Sequence, residues 1–469
     1  MSILKNTCRM LLASLLLAAI PCFAGALDTP MSPVAVVAAH PERLSPAFWV
    51  GRASHPDRLM MSDQARRAQN ARLLRSDPSM HDLAQFPATL AGTLVKTWIE
   101  QRSILPSGVL YDEHGLSIPD SQRSGWTDSL ALERIPAEQA TRYGLVVQRA
   151  PLRTFPTDTR VFNKLGDTDI DRFQETAEFP GTPVVIAHAS GDGEWLFVIS
   201  PRYAAWVRKR YIAEGARSLI LGYATSSPAR VITGSAVHTA YTPEQPALSQ
   251  LKLDMGARFP LSHRAGSDEP VNGQHAYTSH VLQMPVRDSE GQLVLADTLL
   301  SRSADSAPDY LSMTPANLIR QSFKFLGERY GWGHDYDGRD CSGFTSEVYR
   351  SLGVELPRNT GDQARSPALN GHAFTAADTH EARLRAVMSL QIGDLIYIPG
   401  HVMMVIGHID GQPYVIHDTA GVSYRDAGGI VKRIKLNEVS VTPFLPLLSD
   451  DGTPYVDRIT DIVRMRRSP

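Results

Sequence analysis

The stretch Tyr330-Gly-Trp332-Gly-His-Asp-Tyr-Asp-Gly-Arg339-Asp340-Cys341-Ser342-Gly343-Phe344 sets a glycine-rich loop directly before a helix. Phe344, Val348 and Leu352 recur every four residues, which gives that helix one buried face. Asp340 is of the residue type that caps a helix by accepting from its free amides. Cys341 therefore falls in the first turn. The partial positive charge of a helix start favours a thiolate, the nucleophilic form of the side chain. The Cys341 N–H has no acceptor within the helix and can point at a developing oxyanion.

The other two of the three cysteines, Cys8 and Cys22, lie in the first 26 residues. There Lys5 and Arg9 precede an apolar run from Met10 to Ile20, and Ala24-Gly25-Ala26 supplies small residues, the pattern of a cleavable secretory signal peptide over 1–26. The apolar run is shorter than the roughly 20 residues needed to cross a bilayer. The mature chain is thus expected to be periplasmic or secreted, without a transmembrane segment, and Cys341 is its lone thiol. An unpaired cysteine in an oxidising compartment points to a reactive thiol, the alternative being a small buried apolar residue. Its place at a helix start favours the nucleophile.

A thiol nucleophile needs a base, and the base an orienting group. The run from His401 to His408, His-Val-Met-Met-Val-Ile-Gly-His, reads as a strand that opens on a histidine. Asp410-Gly411 is a hairpin-turn signal leading into Tyr414-Val-Ile-His417. His401 is the candidate base and His417 the orienter. A strict two-residue turn would set His417 across from Met404, roughly 10 Å along the strand from His401 and on the opposite face. A bulge or a longer loop is required to bring the rings together. Metal binding by His401, His408 and His417 matches no standard zinc spacing and lacks a thiolate pair, so no metal or other cofactor is expected.

Outward from this segment, 469 residues exceed the roughly 250–300 that one core can serve. Lys plus Arg (47) nearly balances Asp plus Glu (49), which gives no field for nucleic acid. Residues 27–142 read as a helical N-terminal domain. Ser62 caps a helix that Pro78 stops, and Leu90, Leu94 and Trp98, with Val95 and Ile99 beside them, mark the apolar face of a second. Short β-prone runs at 143–225 and 226–312 suggest two small β-barrels in tandem. Residues 313–469 form the final unit, opening with Thr314-Pro315 at a helix start and Ile319, Phe323 and Leu326 on its apolar face.

The motifs Tyr330-Gly-Trp332-Gly, Arg339-Asp340-Cys341-Ser342-Gly343, Leu356-Pro357-Arg358 with Gln363, Gly393-Asp394-Leu395, Gly400-His401-Val402 and Ile416-His417 together resemble the NlpC family of papain-like cell-wall cysteine peptidases. The likeness covers about residues 313–440. Upstream, Asp192-Gly-Glu-Trp195-Leu-Phe197-Val198 and Ala205-Trp206-Val207 resemble bacterial SH3-like domains, and the leader resembles the stabilising N-terminal domain of the same multidomain members. The resemblance implies an α+β multidomain chain: a helical N-terminal domain, two small SH3-like β-barrels and a papain-like α+β peptidase domain.

It further implies hydrolysis of the bond between γ-D-glutamate and a diamino acid, typically meso-diaminopimelate, in peptidoglycan stem peptides or muropeptides. Cys341 would attack, His401 would relay the proton and His417 would fix the imidazole, with Tyr330, Asp340 and Ser342 lining the site. Members with SH3-like domains often use one to wall off the cleft and select stems with a free L-Ala amine. Asn359 stands here where such members carry an acidic residue for that amine. The competing readings are a wall-binding protein without turnover and an amidase or acyl transferase on the same triad.

Overall fold

A computed structural model describes residues 40–264 and 268–466. The expected targeting segment, with Cys8 and Cys22, lies outside the described residues. The chain is α+β, and no helix among the described residues is long and apolar enough to cross a membrane. The helix signals hold where a cap is written in the sequence. Ser62 Oγ accepts from Ala65 N at the start of Asp63–Ser76, and Thr314 Oγ1 accepts from Asn317 N at the start of Pro315–Phe323. The helix Gly92–Arg102 buries Val95 and Ile99, whereas Leu94 is exposed and Trp98 only partly covered. Its apolar stripe is therefore turned one residue from the expected one.

Seven strands, β1 (Arg142–Val146), β2 (Ala150–Arg153), β3 (Gln174–Glu178), β4 (Pro183–Ala189), β5 (Trp195–Ile199), β6 (Ala204–Arg208) and β7 (Ile212–Gly215), form one antiparallel sheet in the order β3-β2-β6-β5-β4-β1-β7. Neither this block nor the next closes into the expected barrel among the described residues. Edge strands need cover, and here neighbours supply it. Arg287 Nε donates to the Ile212 carbonyl on β7 at 3.1 Å, and Trp332 Nε1 donates to the Gln174 carbonyl on β3 at 3.0 Å. The second block is three small sheets, including the long hairpin Ser279–Arg287 with Leu293–Ser301. Residues of the leader stretch pack into neighbouring cores: Trp49 and Met60 join the final unit, while Leu83, Val95, Ile99 and Trp126 join β1, β4, β5 and β6.

The final unit carries a six-stranded antiparallel sheet of β8 (Gly371–Ala373), β9 (Leu395–Ile398), β10 (His401–Ile409), β11 (Gln412–Thr419), β12 (Glu438–Pro443) and β13 (Asp461–Val463), in the order β8-β13-β9-β10-β11-β12. The helix Cys341–Ser351 lays Phe344 and Val348 on one face of it, against Val402, Met404, Ile406 and Ile416. Asp410 and Gly411 both take positive φ (51° and 80°), so the turn from β10 to β11 has two residues, with Ile409 opposite Gln412. The register then slips by one at Ile406, between Val405 and Gly407. Gly407 has φ +152°, and a Cβ there would sit 3.0 Å from Cε3 of Trp49.

This bulge is expected to be intolerant of any side chain. Gly407→Ala should cost about 1–3 kcal/mol in urea denaturation, from backbone strain and the Trp49 contact together. A midpoint within error of wild type would contradict the assigned bulge geometry.

Candidate active site

Cys341 is the first residue of its helix, and Asp340 caps that helix by accepting from Gly343 N at 2.8 Å. The carboxylate of Asp340 is gripped by Arg358, whose Nη1 and Nη2 donate to Oδ1 and Oδ2 at 3.1 and 2.7 Å. Burial alone would raise the Asp340 pKa. Arg358, His334 and the amide of Gly343 outweigh it and hold it at about 2. Ser342 is built into the same cluster, donating to Asp340 Oδ1 at 3.1 Å and accepting from Arg358 Nη1 at 2.9 Å. Tyr330 is buried to 8% exposure, close enough to Cys341 and Asp340 for their charges to act on its phenol. Asn359, between Arg358 and Thr360, is exposed, its amide donating to Asp362 Oδ2 at 2.9 Å.

The two histidines meet. Below the bulge Val405 pairs with Val415 and Met404 with Ile416. One step further sets His417 across from Met403, two residues from His401 on the same strand face. Such diagonal neighbours are about 7–8 Å apart at the backbone, within reach of large side chains. The rings lie 5.1 Å apart centroid to centroid, and His401 Nε2 and His417 Nδ1 share a hydrogen bond of 2.8 Å. His417 Nε2 in turn bonds Thr442 Oγ1 on β12 at 2.9 Å. The bulge thus supplies the offset that a plain hairpin lacks. His408 is not part of this chain, and its Nε2 is buried without a partner among the described residues.

The thiol sits at the start of β10. Cys341 Sγ lies 4.0 Å from the Gly400 carbonyl oxygen and 3.9 Å from Thr360 Oγ1. It makes no hydrogen bond to either imidazole among the described residues, and catalytic contacts are often loose before substrate binds. Burial pushes the thiol up to about 12, with the Asp340 charge adding to the push. A helix end contributes about 0.3–1 kcal/mol, at most about 2, to a nearby charge, and one pKa unit is about 1.4 kcal/mol. The helix start therefore does not offset burial, and the balance around the sulfur favours the neutral thiol over the expected thiolate. Burial likewise pushes the His401 imidazole down to about 4, although the residue keeps a partly open edge that tempers the push.

Thr360 and Thr442 carried no signal of their own in the sequence, while Arg358 was visible only as part of Leu356-Pro357-Arg358 and Asp418 only as the residue after His417. Asp418, at 0% exposure, has both carboxyl oxygens buried and without partners among the described residues. Burial pushes its pKa well above the carboxylate range, helped by the charges of Asp340 and Glu328. Its surroundings thus favour the protonated carboxyl.

Residues 327–434 match the NlpC/P60 family and residues 160–208 the SH3 domain (SH3b1 type) family. The chain is similar to a gamma-D-glutamyl-L-lysine dipeptidyl-peptidase of Bacillus cereus, 28% identical over 256 residues that cover 50% of this chain and 65% of that protein. The protein of the same name from Bacillus subtilis is 36% identical over 67 residues, 14% of this chain and 23% of that one. The matches thus span less than two thirds of either relative. A solved NlpC/P60 endopeptidase from Photobacterium damselae subsp. piscicida shares the fold, with TM-score 0.70 and 18% identity, covering 90% of this chain and 97% of that one.

The state of Asp418 is open to a pH test. Above the ordinary carboxylate range the unfolded chain has lost this proton while the folded chain keeps it, so rising pH favours unfolding. Asp418→Asn removes that linkage. The variant's stability relative to wild type should climb from about pH 4 toward neutrality, by at most about 1.4 kcal/mol per pH unit, in denaturant titrations. A stability difference that stays flat with pH would show the carboxyl to be ionised.

Proposed function

We propose that this chain, which carries an NlpC/P60-family domain and an SH3-like domain, is a peptidoglycan endopeptidase that hydrolyses the γ-D-glutamyl–diamino acid bond of stem peptides. Cys341, His401 and His417 do the chemistry. The observation that carries the reading is the bonded series His401, His417, Thr442, which ends on a hydroxyl and leaves Nδ1 of His401 without a partner among the described residues. If His417 Nε2–H donates to Thr442, His417 Nδ1 is an acceptor and His401 must donate to it from Nε2. His401 Nδ1 is then a bare acceptor beside the strand start where the thiol sits. The series is the same before and after His401 takes a proton, so proton transfer needs no rearrangement.

In this reading the Cys341 proton passes to His401 Nδ1 as sulfur attacks the γ-carbonyl carbon of D-glutamate. The oxyanion forms near the Cys341 N–H at the helix start, where the first amides have no intrahelical partner. The imidazolium returns its proton to the leaving amine of the diamino acid. A thioester remains, and water activated by His401 releases the glutamyl product and restores the thiol. The names of the Bacillus relatives support a γ-D-glutamyl bond, with L-lysine the diamino acid in their case. In this reading the activity lies outside the cytoplasm, in keeping with the secretory-signal pattern of residues 1–26. Tyr330, Asp340 and Ser342 border the nucleophile; in this reading Asp340 and Ser342 act by holding the helix start, and Tyr330 is the one whose polar tip stays free for substrate. Asn359 carries no charge for a free L-Ala amine.

Digestion of purified muropeptides checks this reading. Wild type should leave L-Ala-D-Glu on the sugar-bearing fragment and release a fragment beginning with the diamino acid. Cys341→Ala should lose at least about a thousandfold in kcat, and His417→Ala about ten- to a hundredfold. Release of an intact stem from the sugar would identify an amidase instead. Undiminished turnover by Cys341→Ala would remove the enzyme assignment to this thiol.

A further inference from the structure

The loop that delivers the nucleophile is held from outside the peptidase unit. Between Gly331 and Asp340 the backbone takes left-handed φ at Gly333 (57°), His334 (65°), Tyr336 (52°) and Asp337 (60°), values that side chains adopt only under constraint. The constraint centres on Asp254, which is fully buried and ends the short strand Lys252–Asp254 of the second β block. Its Oδ1 accepts from Arg339 Nη2 at 2.9 Å and from Arg149 Nη1 at 2.5 Å. Arg149, from the segment between β1 and β2, reaches on to the Gly338 and His334 carbonyls at 2.6 and 3.1 Å. Lys252 Nζ donates to the Asp337 carbonyl at 2.9 Å.

Arg339 is the other half of the grip. It is completely buried, two residues before the thiol. Its Nε donates to Glu347 Oε2 at 2.5 Å, its Nη1 to Glu328 Oε1 and Oε2 at 2.7 and 2.8 Å, and its Nη2 to the Ser235 carbonyl at 3.0 Å as well as to Asp254. A guanidinium has five donors in a fixed fork, so every direction is used and the backbone at 339 has little freedom. Glu347 lies on the Cys341 helix itself. The fork therefore ties the helix, the loop entering it and the second β block to one plane. Burial by itself would push the Asp254 carboxyl up, and the cations of Arg149, Arg339 and Lys252 around it pull against that push.

We propose that Asp254 is a positioning residue for Cys341, acting through Arg339 on one side and Arg149 on the other, so that the second β block is part of the catalytic apparatus. This rests on the endopeptidase reading for its kinetic consequence, though not for its effect on the thiol. Asp254→Asn keeps the shape and removes the charge that gathers the two arginines. Two readings on the full chain, well below the unfolding midpoint, test it: kcat and KM on a free stem peptide, and the rate of iodoacetamide alkylation at the peptide bearing Cys341. Asp254→Asn should lower kcat by at least about tenfold with KM within about threefold, the pattern of a lost transition-state geometry. The alkylation rate should change by at least about threefold, because thiol reactivity follows its local setting.

Arg149→Met, which releases the Gly338 and His334 carbonyls, the Asp254 contact and the Asp337 ion pair but leaves Arg339 on Asp254, should move both readings in the same direction by less, and it decides the matter if Asp254→Asn does not fold. Folded variants with a lower midpoint but unchanged kcat and alkylation would reduce the network to a scaffold and overturn the proposal. A wild type that cleaves no stem peptide, while alkylation still responds to Asp254→Asn, would overturn the endopeptidase reading and leave the positioning role standing.

Discussion

The site depends on the register between β10 and β11. Side chains on a strand alternate faces, so a slip of one residue decides whether two histidines point together or apart. The Asp410-Gly411 turn alone would part them. The slip at Ile406 restores the parity and brings His401 and His417 to 2.8 Å. That slip needs the φ of Gly407, and Gly407 lies against Trp49, whose ring sits tilted against Tyr414 with centroids 5.2 Å apart and whose Nε1 donates to the Arg43 carbonyl at 2.7 Å. A tryptophan from the start of the described chain thus braces the strand pair that holds the imidazoles.

Electrostatics around the sulfur favour a neutral resting pair. The thiol is buried, Asp340, the preceding residue, is held ionised by Arg358, and the helix end is too weak to reverse the balance. In the proposed mechanism the proton then moves as the sulfur attacks, which places the demand on geometry: the thiol at the start of β10, the free Nδ1 of His401 and the loop that leads into the helix. That loop is bent through four left-handed residues and held by ion pairs from two preceding blocks. Buried ion pairs are poor stabilisers because desolvation consumes most of their attraction, but they fix geometry well. In the proposed mechanism their use lies in fixing the entry to the helix.

Much of this was legible in the sequence because it is local. The cap at Asp340, the helix face of Phe344 and Val348, the caps at Ser62 and Thr314 and the turn at Asp410-Gly411 each follow from a few adjacent residues. Long-range partners are not written locally. The pairing of Arg358 with Asp340, the bond from His417 to Thr442 and the gathering of Arg149 and Arg339 on Asp254 join residues that no spacing rule connects. The bulge was required by arithmetic, but its place at Ile406 depends on Trp49. Among the described residues the first block stays open for a related reason: its edge strands β3 and β7 are covered by the Trp332 loop and by Arg287. At Leu94 periodicity misled, since Val95 and Ile99 fit the groove better by one residue's rotation.

The most direct test of the account is the protonation state of His401, read by nitrogen NMR of histidine-labelled protein at neutral pH, with a His401→Gln variant to assign the signal. The account predicts a neutral ring that carries its proton on Nε2 and leaves Nδ1 bare. A ring protonated on Nδ1, or on both nitrogens as an imidazolium beside a thiolate, would contradict it.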